Sequence, residues 1–397
     1  MLKSVWCHGD HVTQASSPVQ AHGPIRVLIV DDSSVVRGLI HKWLQSEAGI
    51  EVAGLAMNGL DGVRKAQAVK PHVIILDVEM PGMDGVTAIP ALLAASPGAR
   101  IVMSSTLTSR NAEITLKALQ AGATDYLAKP QASGLVGASE FRRQLIEKVR
   151  TLGEIAQRGS ARSQASAAPT VNEASTPAPL QDAGEKEPQR RSGNSAKASL
   201  TPASIDVLAI GSSTGGPQAL RTLMEYLGRE RIGVPVLITQ HMPAMFTTIL
   251  AEQLAKASGL NVCEGVDGEM LRPGCVYVAP GDHHMTVQRR QDRVVIRLNQ
   301  DAPENFCRPA VDPLFRSVAQ AFRDRALYVV LTGMGQDGLK GAREGAACGG
   351  QFIAQDEATS VVWGMPGAIA NAGIANAIKP LEDIGPAIMW VVSGAHG

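Results

Sequence analysis

The chain has 397 residues, enough for two or three domains, and its 37 lysines and arginines balance 37 aspartates and glutamates. No bulk charge draws it to nucleic acid or anionic lipid, and no apolar run approaches the ~18 residues of a membrane span. The five cysteines (Cys7, Cys263, Cys275, Cys307, Cys348) form no C-x-x-C pair, which argues against a zinc cluster or disulfide framework and fits a reducing compartment. The expectation is a cytoplasmic monomer without nucleic-acid partner or membrane insertion.

Residues 1–23 carry His8, Asp10, His11, Gln14 and Gln20 but no apolar segment, so they read as a disordered extension and not as a signal peptide. A strand-then-helix rhythm follows. Strands are expected at Arg26–Val30, Glu51–Ala53, Val73–Leu76, Arg100–Met103 and Asp125–Leu127. Helical patterns fill the gaps near 34–46, 59–70, 84–95, 111–121 and 139–157. Five alternations predict a doubly wound parallel sheet over residues 24–157, with ligands bound at the carboxyl ends of its strands.

The polar residues at those ends can be read together. Asp31 and Asp32 follow the first strand, Asp77 the third, Ser104 the fourth, and Lys129 the fifth. Three carboxylates on one edge repel unless a cation sits among them, and hard oxygen ligands suit Mg²⁺. Asp77 then becomes a nucleophile toward a phosphoryl group, with Lys129 neutralising the new charge and Ser104 bonding a phosphoryl oxygen. The blander reading treats each aspartate as a helix cap. Three at matched strand ends, with a lysine on another, disfavour it.

Between about 158 and 203, Ser, Ala, Pro, Gln and Glu dominate and aromatics vanish. Such a composition cannot bury enough apolar surface to offset ordering entropy, so a flexible linker is expected.

The domain from 204 to 397 opens with the apolar run Val207–Ile210, then Gly211-Ser212-Ser213-Thr214-Gly215-Gly216-Pro217. Leu220, Leu223, Met224 and Leu227 then mark an amphipathic helix. Gly211, Ser213 and Gly215 spell G-x-S-x-G, the spacing that lifts a serine hydroxyl on a sharp strand-to-helix turn. The spacing selects Ser213 over Ser212. Two other readings compete: a phosphate cradle at a helix N-terminus, and a plain structural turn. A dinucleotide site wants glycine where Ser213 stands and an acidic residue after the next strand. That strand, Val236–Thr239, ends instead in Gln240 and His241.

Further on, His284–Gln288 and Arg293–Leu298 read as an antiparallel hairpin, a helix is expected near 311–323, and Leu327–Leu331 is a strongly apolar strand ahead of the loop that bears Asp337. Ser213, His241 and Asp337 each follow a different strand of what should be one parallel sheet. All three therefore fall on its carboxyl edge. A serine needs a base, and the base needs an acceptor that fixes its tautomer. The order Ser, His, Asp departs from that of the α/β-hydrolases while leaving the mechanism intact. Singly, His241 could be a loop residue and Asp337 the N-cap of a helix beginning at 338. Asp282, His283 and His284 read as site-lining or surface residues, since neighbours along a strand face opposite ways and do not share an ion.

These motifs carry resemblances. Val-Asp-Asp-Ser, Leu-Asp-Val-Glu-Met-Pro-Gly-Met-Asp-Gly (76–85) and Gly-Ala-Thr-Asp-Tyr-Leu-Ala-Lys-Pro (122–130) resemble the receiver domain of two-component response regulators. That resemblance implies a metal set at Asp31, Asp32 and Asp77, phosphorylation at Asp77, and switch residues Ser104, Tyr126 and Lys129. Ala-Ile-Gly-Ser-Ser-Thr-Gly-Gly-Pro (209–217), Gln-His-Met (240–242), Val-Ala-Pro-Gly-Asp-His-His-Met (278–285) and Leu-Thr-Gly-Met-Gly-Gln-Asp-Gly (331–338) resemble the chemotaxis protein-glutamate methylesterases. The second resemblance implies catalysis by Ser213, His241 and Asp337, with oxyanion contacts from the backbone near Thr214 and Met334. Together they imply a flavodoxin-like receiver and a Rossmann-like hydrolase domain with an antiparallel hairpin. Such a protein demethylates, and possibly deamidates, chemoreceptor side chains. It takes its phosphoryl group from a histidine kinase, and needs Mg²⁺ for the receiver and none for the esterase. The flexible tether, which keeps the two domains at a high effective concentration, adds the expectation that the receiver inhibits the esterase until phosphorylated. A nucleotide-dependent enzyme and a non-catalytic adaptor remain as rivals.

Overall fold

The computed structural model describes residues 23–106, 108–129, 135–166 and 199–394. The extension and most of the linker read from the sequence lie outside the described residues. The first unit alternates β1 (Ile25–Val30), α1 (Ser34–Gln45), β2 (Ile50–Ala56), α2 (Gly59–Val69), β3 (Val73–Asp77), α3 (Gly85–Ala95), β4 (Arg100–Thr106), α4 (Ser109–Gln120), β5 (Asp125–Lys129) and α5 (Leu135–Ser166). Each early helix starts at a residue able to cap it. Ser33, Asn58, Asp84 and Thr108 accept backbone N–H groups of the first turns of α1, α2, α3 and α4.

The strands pair in parallel in the order β2-β1-β3-β4-β5. β1 sits between β2 and β3, so the chain reverses direction across the sheet there. The ends of β1 and β3 lie side by side at that switch point, where such sheets hold ligands. Several elements are longer than periodicity suggested. β2 runs from Ile50 to Ala56 along its pairing with β1, while β4 runs to Thr106 and β5 to Lys129 because polar residues at the carboxyl edge still make ladder bonds. α5 also departs from expectation. The helical pattern ends near 157, but the helix continues to Ser166, so the segment expected as linker begins as helix. Its Ala, Arg and Gln are good helix formers in spite of the polar composition.

The second unit contains β6 (Val207–Ser212), α6 (Gly216–Arg229), β7 (Val236–Gln240), α7 (Phe246–Ser258), β8 (Asn261–Glu264), β9 (Cys275–Val278), β10 (His284–Arg290), β11 (Arg293–Asn299), α8 (Val311–Phe322), β12 (Ala326–Val330), α9 (Leu339–Ala347), β13 (Gln351–Gln355), α10 (Met365–Asn371), β14 (Ala377–Lys379) and α11 (Leu381–Ser393). Seven strands pair in parallel as β14-β13-β12-β6-β7-β9-β8, and β10 with β11 forms the separate antiparallel hairpin. The unit begins before residue 204: Thr201 exchanges backbone bonds with the Gln351 amide at 2.8 Å each way. β8, α10 and β14 escaped the sequence reading. β8 and β14 are short and only partly buried, and α10 opens on Pro366-Gly367, which reads as a turn.

β6 is central, with β12 on one side and β7 on the other. The loops after these three neighbours carry Ser213, His241 and Asp337. One apolar layer lies on each face: Leu208, Ile210 and Leu220 on one, Ala209, Val311 and Tyr328 on the other.

Candidate active site

β6 ends in two serines with different fates. Ser212 is fully buried and its hydroxyl donates to Gln240 Oε1 at 2.8 Å. The Gln240 amide donates in turn to the Ser213 carbonyl at 3.0 Å, and the Ser213 N–H to Thr332 O at 3.1 Å. The strand end is thus tied on both sides, and Ser213 faces a cavity of 330 Å³. The turn needs its glycines. Gly215 has a φ of 77°, and a Cβ there would stand 2.6 Å from Val361. A Cβ on Gly216 would meet Gln240 Oε1 at 1.9 Å.

His241 follows β7, and its Nε2 donates to Asp337 Oδ2 at 2.7 Å. Asp337 is 1% exposed. It does not cap the helix that follows it, since Gly338 is the N-cap of α9. Instead it accepts the Val311 and Asp312 N–H groups at 2.5 and 3.1 Å, capping α8, whose own N-cap Ala310 has no side chain for the task. Burial pushes the Asp337 carboxyl up, but the His241 bond and these amides outweigh it and bring it to about 2. Burial likewise opposes charge on His241; Cys307 and Asp337 beside the ring overcome this and raise it. Asp337 thus favours charge on the ring, the form His241 takes once it has accepted a proton. Among the described residues no hydrogen bond joins Ser213 to His241, though both line the one cavity. Thr214 and Met334 line it too.

The receiver-like unit closes that cavity. α4 packs on α6 and α7. Gln218 Nε2 donates to the carbonyls of Leu119 and Ala123 at 2.8 and 3.1 Å, and Gln120 to Gln253 at 3.0 Å. Tyr126 stacks on Phe246 with ring centroids 4.9 Å apart. Arg143 of α5 sits 4.4 Å over the exposed Phe306 ring. Asp125, ion-paired with Lys148, accepts the Thr214 hydroxyl at 2.5 Å. Asp125, Tyr126 and Arg143 line the same cavity as Ser213.

At the other edge of the first sheet, Asp31, Asp32 and Asp77 bring carboxylate oxygens within 4.8 Å of one another. Lys129 Nζ lies 2.9 Å from Asp31 and 2.7 Å from Asp77. Burial pushes the Asp77 carboxyl up to about 6, against the pull of Lys129. Asp31 Oδ2 is buried with the Lys129 ammonium 2.9 Å away, and three carboxylates against that one cation leave an excess of negative charge that a divalent cation would offset. The donor set fits Mg²⁺. β4 offers two hydroxyls here. Ser104, in register with Asp77, is buried with its Oγ unpartnered, and Ser105 donates to Thr106 O at 3.3 Å.

His284 turns its two ring nitrogens to the Ala310 N–H and the Ala302 carbonyl, each at 3.2 Å, and Asp282 pairs with Arg308. Both brace the segment ahead of α8. The sequence reading missed Asp125, Asn305 and Cys307, which belong to the cavity only because two distant segments fold over the Ser213 loop. No spacing pattern marks them.

A family model described as CheB methylesterase matches residues 208–388, and one described as response regulator receiver domain matches 27–138. The protein-glutamate methylesterase/protein-glutamine glutaminase of Maricaulis maris is 48% identical over 394 residues, 95% of this chain and 98% of that one. The protein of the same name from Azospirillum brasilense is 48% identical, covering 96% of each chain. A solved Thermotoga maritima CheB methylesterase catalytic domain aligns at 38% identity, TM-score 0.46, over 47% of this chain and 98% of that one.

Proposed function

The chain belongs to the CheB methylesterase family and carries a response regulator receiver in front, and we propose that Ser213, His241 and Asp337 are the machinery with which it hydrolyses glutamate methyl esters of chemoreceptors. It is a protein-glutamate methylesterase and protein-glutamine glutaminase, a phosphorylation-regulated hydrolase of chemotaxis signalling. The matched ranges, 27–138 and 208–388, fall within the stretches read as receiver (24–157) and catalytic domain (204–397).

The observation that carries the site assignment is the His241–Asp337 bond at 2.7 Å beside a serine held on a glycine-dependent turn. Ser213 Oγ attacks the ester carbonyl while His241 takes its proton. N–H groups near Thr214 and Met334 would hold the oxyanion, one good donor being worth ~3–4 kcal/mol. His241 then protonates departing methoxide to methanol, and water attacks the acyl-serine by the same steps in reverse. With a glutamine side chain the leaving group is ammonia.

On the receiver, Asp77 attacks the phosphorus of a phosphodonor, in this family the phosphohistidine of a histidine kinase; the N–P bond breaks, the imidazole leaves, and Asp77 becomes an aspartyl phosphate. Asp31, Asp32 and Asp77 would hold Mg²⁺, which when bound screens the phosphoryl oxygens. Lys129 pairs with the new charge, and a hydroxyl of the Ser104–Ser105 pair donates to it. The contacts of Asp125, Tyr126 and Arg143 then weaken, uncovering Ser213 to a receptor helix. Methanol release from methylated receptor membranes tests the assignment. Wild type releases it, and Ser213→Ala does not; equal release by both would overturn it.

A further inference from the structure

The segment between β11 and α8 makes a contact with the triad that the reaction outlined above leaves unused. Asn305 there has left-handed backbone, φ 50°, and its amide nitrogen donates to Asp337 Oδ1 at 2.8 Å and to Asp312 Oδ2 at 3.1 Å. Both carboxylates are 1% exposed. Asp312 is fixed from its other oxygen by the Gly341 N–H at 2.8 Å. Burial and the neighbouring Asp337 raise its carboxyl. Two buried carboxyls this close repel whenever both are charged, and one amide shared between them offsets that.

The division of labour on Asp337 is informative. Oδ2 receives His241 and the Val311 N–H, while Oδ1 receives Asn305 and the Asp312 and Gly338 N–H groups. Asn305 is the side-chain donor on Oδ1, opposite the imidazole on Oδ2. Rotation of the carboxylate about its Cβ–Cγ bond would carry Oδ2 away from Nε2, and a donor held on Oδ1 resists that rotation. The left-handed backbone serves the same end, since it lets the side chain turn inward while the next residue, Phe306, points out beneath Arg143.

We propose that Asn305 is a positioning residue for the hydrolase reaction, bridging Asp312 and Asp337 and thereby fixing the carboxylate that orients His241. This rests on the triad assigned above. Two variants probe it in the full-length protein activated with acetyl phosphate and Mg²⁺. Asn305→Gly removes the amide but keeps the left-handed backbone without strain. Asn305→Asp keeps the shape and sets a third carboxylate against the other two.

Asn305→Gly should lower kcat for methanol release about tenfold to hundredfold while KM stays within about twofold. Asn305→Asp should fall further. The downfield NMR signal of the His241 Nε2 proton should move or vanish in both. Asn305→Gly combined with Asp337→Asn should be no slower than Asp337→Asn alone, because both act through one group. A wild-type kcat in Asn305→Gly, a rise in KM alone, or a loss that multiplies onto that of Asp337→Asn would each overturn the proposal. If Asp337→Asn itself runs at the wild-type rate, the triad assignment fails instead. Should Asn305→Gly not fold, Asn305→Asp gives the same kcat, KM and NMR readings and decides alone.

Discussion

The Thr214 hydroxyl donates a 2.5 Å hydrogen bond to Asp125, joining the residue after Ser213 to the receiver sheet. Asp125 is buried and shared with Lys148, so the contact is charge-assisted and shielded from solvent. Hydrogen bonds to charged groups contribute about 1.5–3 kcal/mol. Asp125→Asn should therefore raise the basal esterase rate several-fold and shrink the gain from phosphodonor. Methanol release without phosphodonor measures this; a basal rate equal to wild type would mean that the contact does not hold the two units together.

The two serines at the end of β6 should separate cleanly. Ser213→Ala should lose at least about a thousandfold in kcat, since what remains is binding and oxyanion stabilisation alone. Ser212→Ala should keep most activity, yet lose ~1–3 kcal/mol of stability by leaving Gln240 Oε1 without its donor. Steady-state kinetics and denaturant melts on both variants decide it. A dead Ser212→Ala with normal stability would reverse the assignment.

Stability should depend on pH through the His241–Asp337 pair with a definite sign. Asp337 lies at about 2 against an ordinary 3.8, so its contribution is present above 3.8 and is lost as pH falls through 2. His241 is raised above 6.5, so its contribution is full below 6.5 and is lost as pH rises through the raised value. Asp337→Asn should therefore cost most near pH ~5, about 2 kcal/mol, and progressively less toward either extreme. Melts of variant and wild type across that range check the shape. A cost that grows steadily with pH would contradict it.

Acetyl phosphate with Mg²⁺ should label Asp77 and nothing else, and Asp77→Asn should abolish the label. Ser104→Ala and Ser105→Ala, compared for rates of labelling and of label loss, identify which hydroxyl serves the phosphoryl group. Label that persists in Asp77→Asn, or forms without metal, would contradict the acidic-edge assignment.

Much of this was legible in the sequence because each site residue directly follows an apolar strand. Val207–Ile210, Val236–Thr239 and Leu327–Leu331 announce buried parallel strands, and their ends place Ser213, His241 and Asp337 on one edge. What stayed hidden depends on packing between distant segments. Asp337 looked like a cap for the helix after it, but it caps α8 across the sheet edge. Asp125 read as the first residue of a strand, and only the docking of α4 on α6 and α7 brings it to Thr214. The extra turns of α5 were lost because Ser-rich composition outweighed Ala and Arg in the reading.

If the receiver holds the hydrolase shut, phosphorylating Asp77 must open it. Full-length protein is given methylated receptor membranes, and initial methanol release is measured with and without acetyl phosphate and Mg²⁺, for wild type and for Asp77→Asn. Wild type should be slow alone and several-fold faster with phosphodonor, while Asp77→Asn stays slow in both. A wild-type rate indifferent to phosphodonor, or an Asp77→Asn variant that responds as fully as wild type, would mean that the receiver does not gate the hydrolase through Asp77.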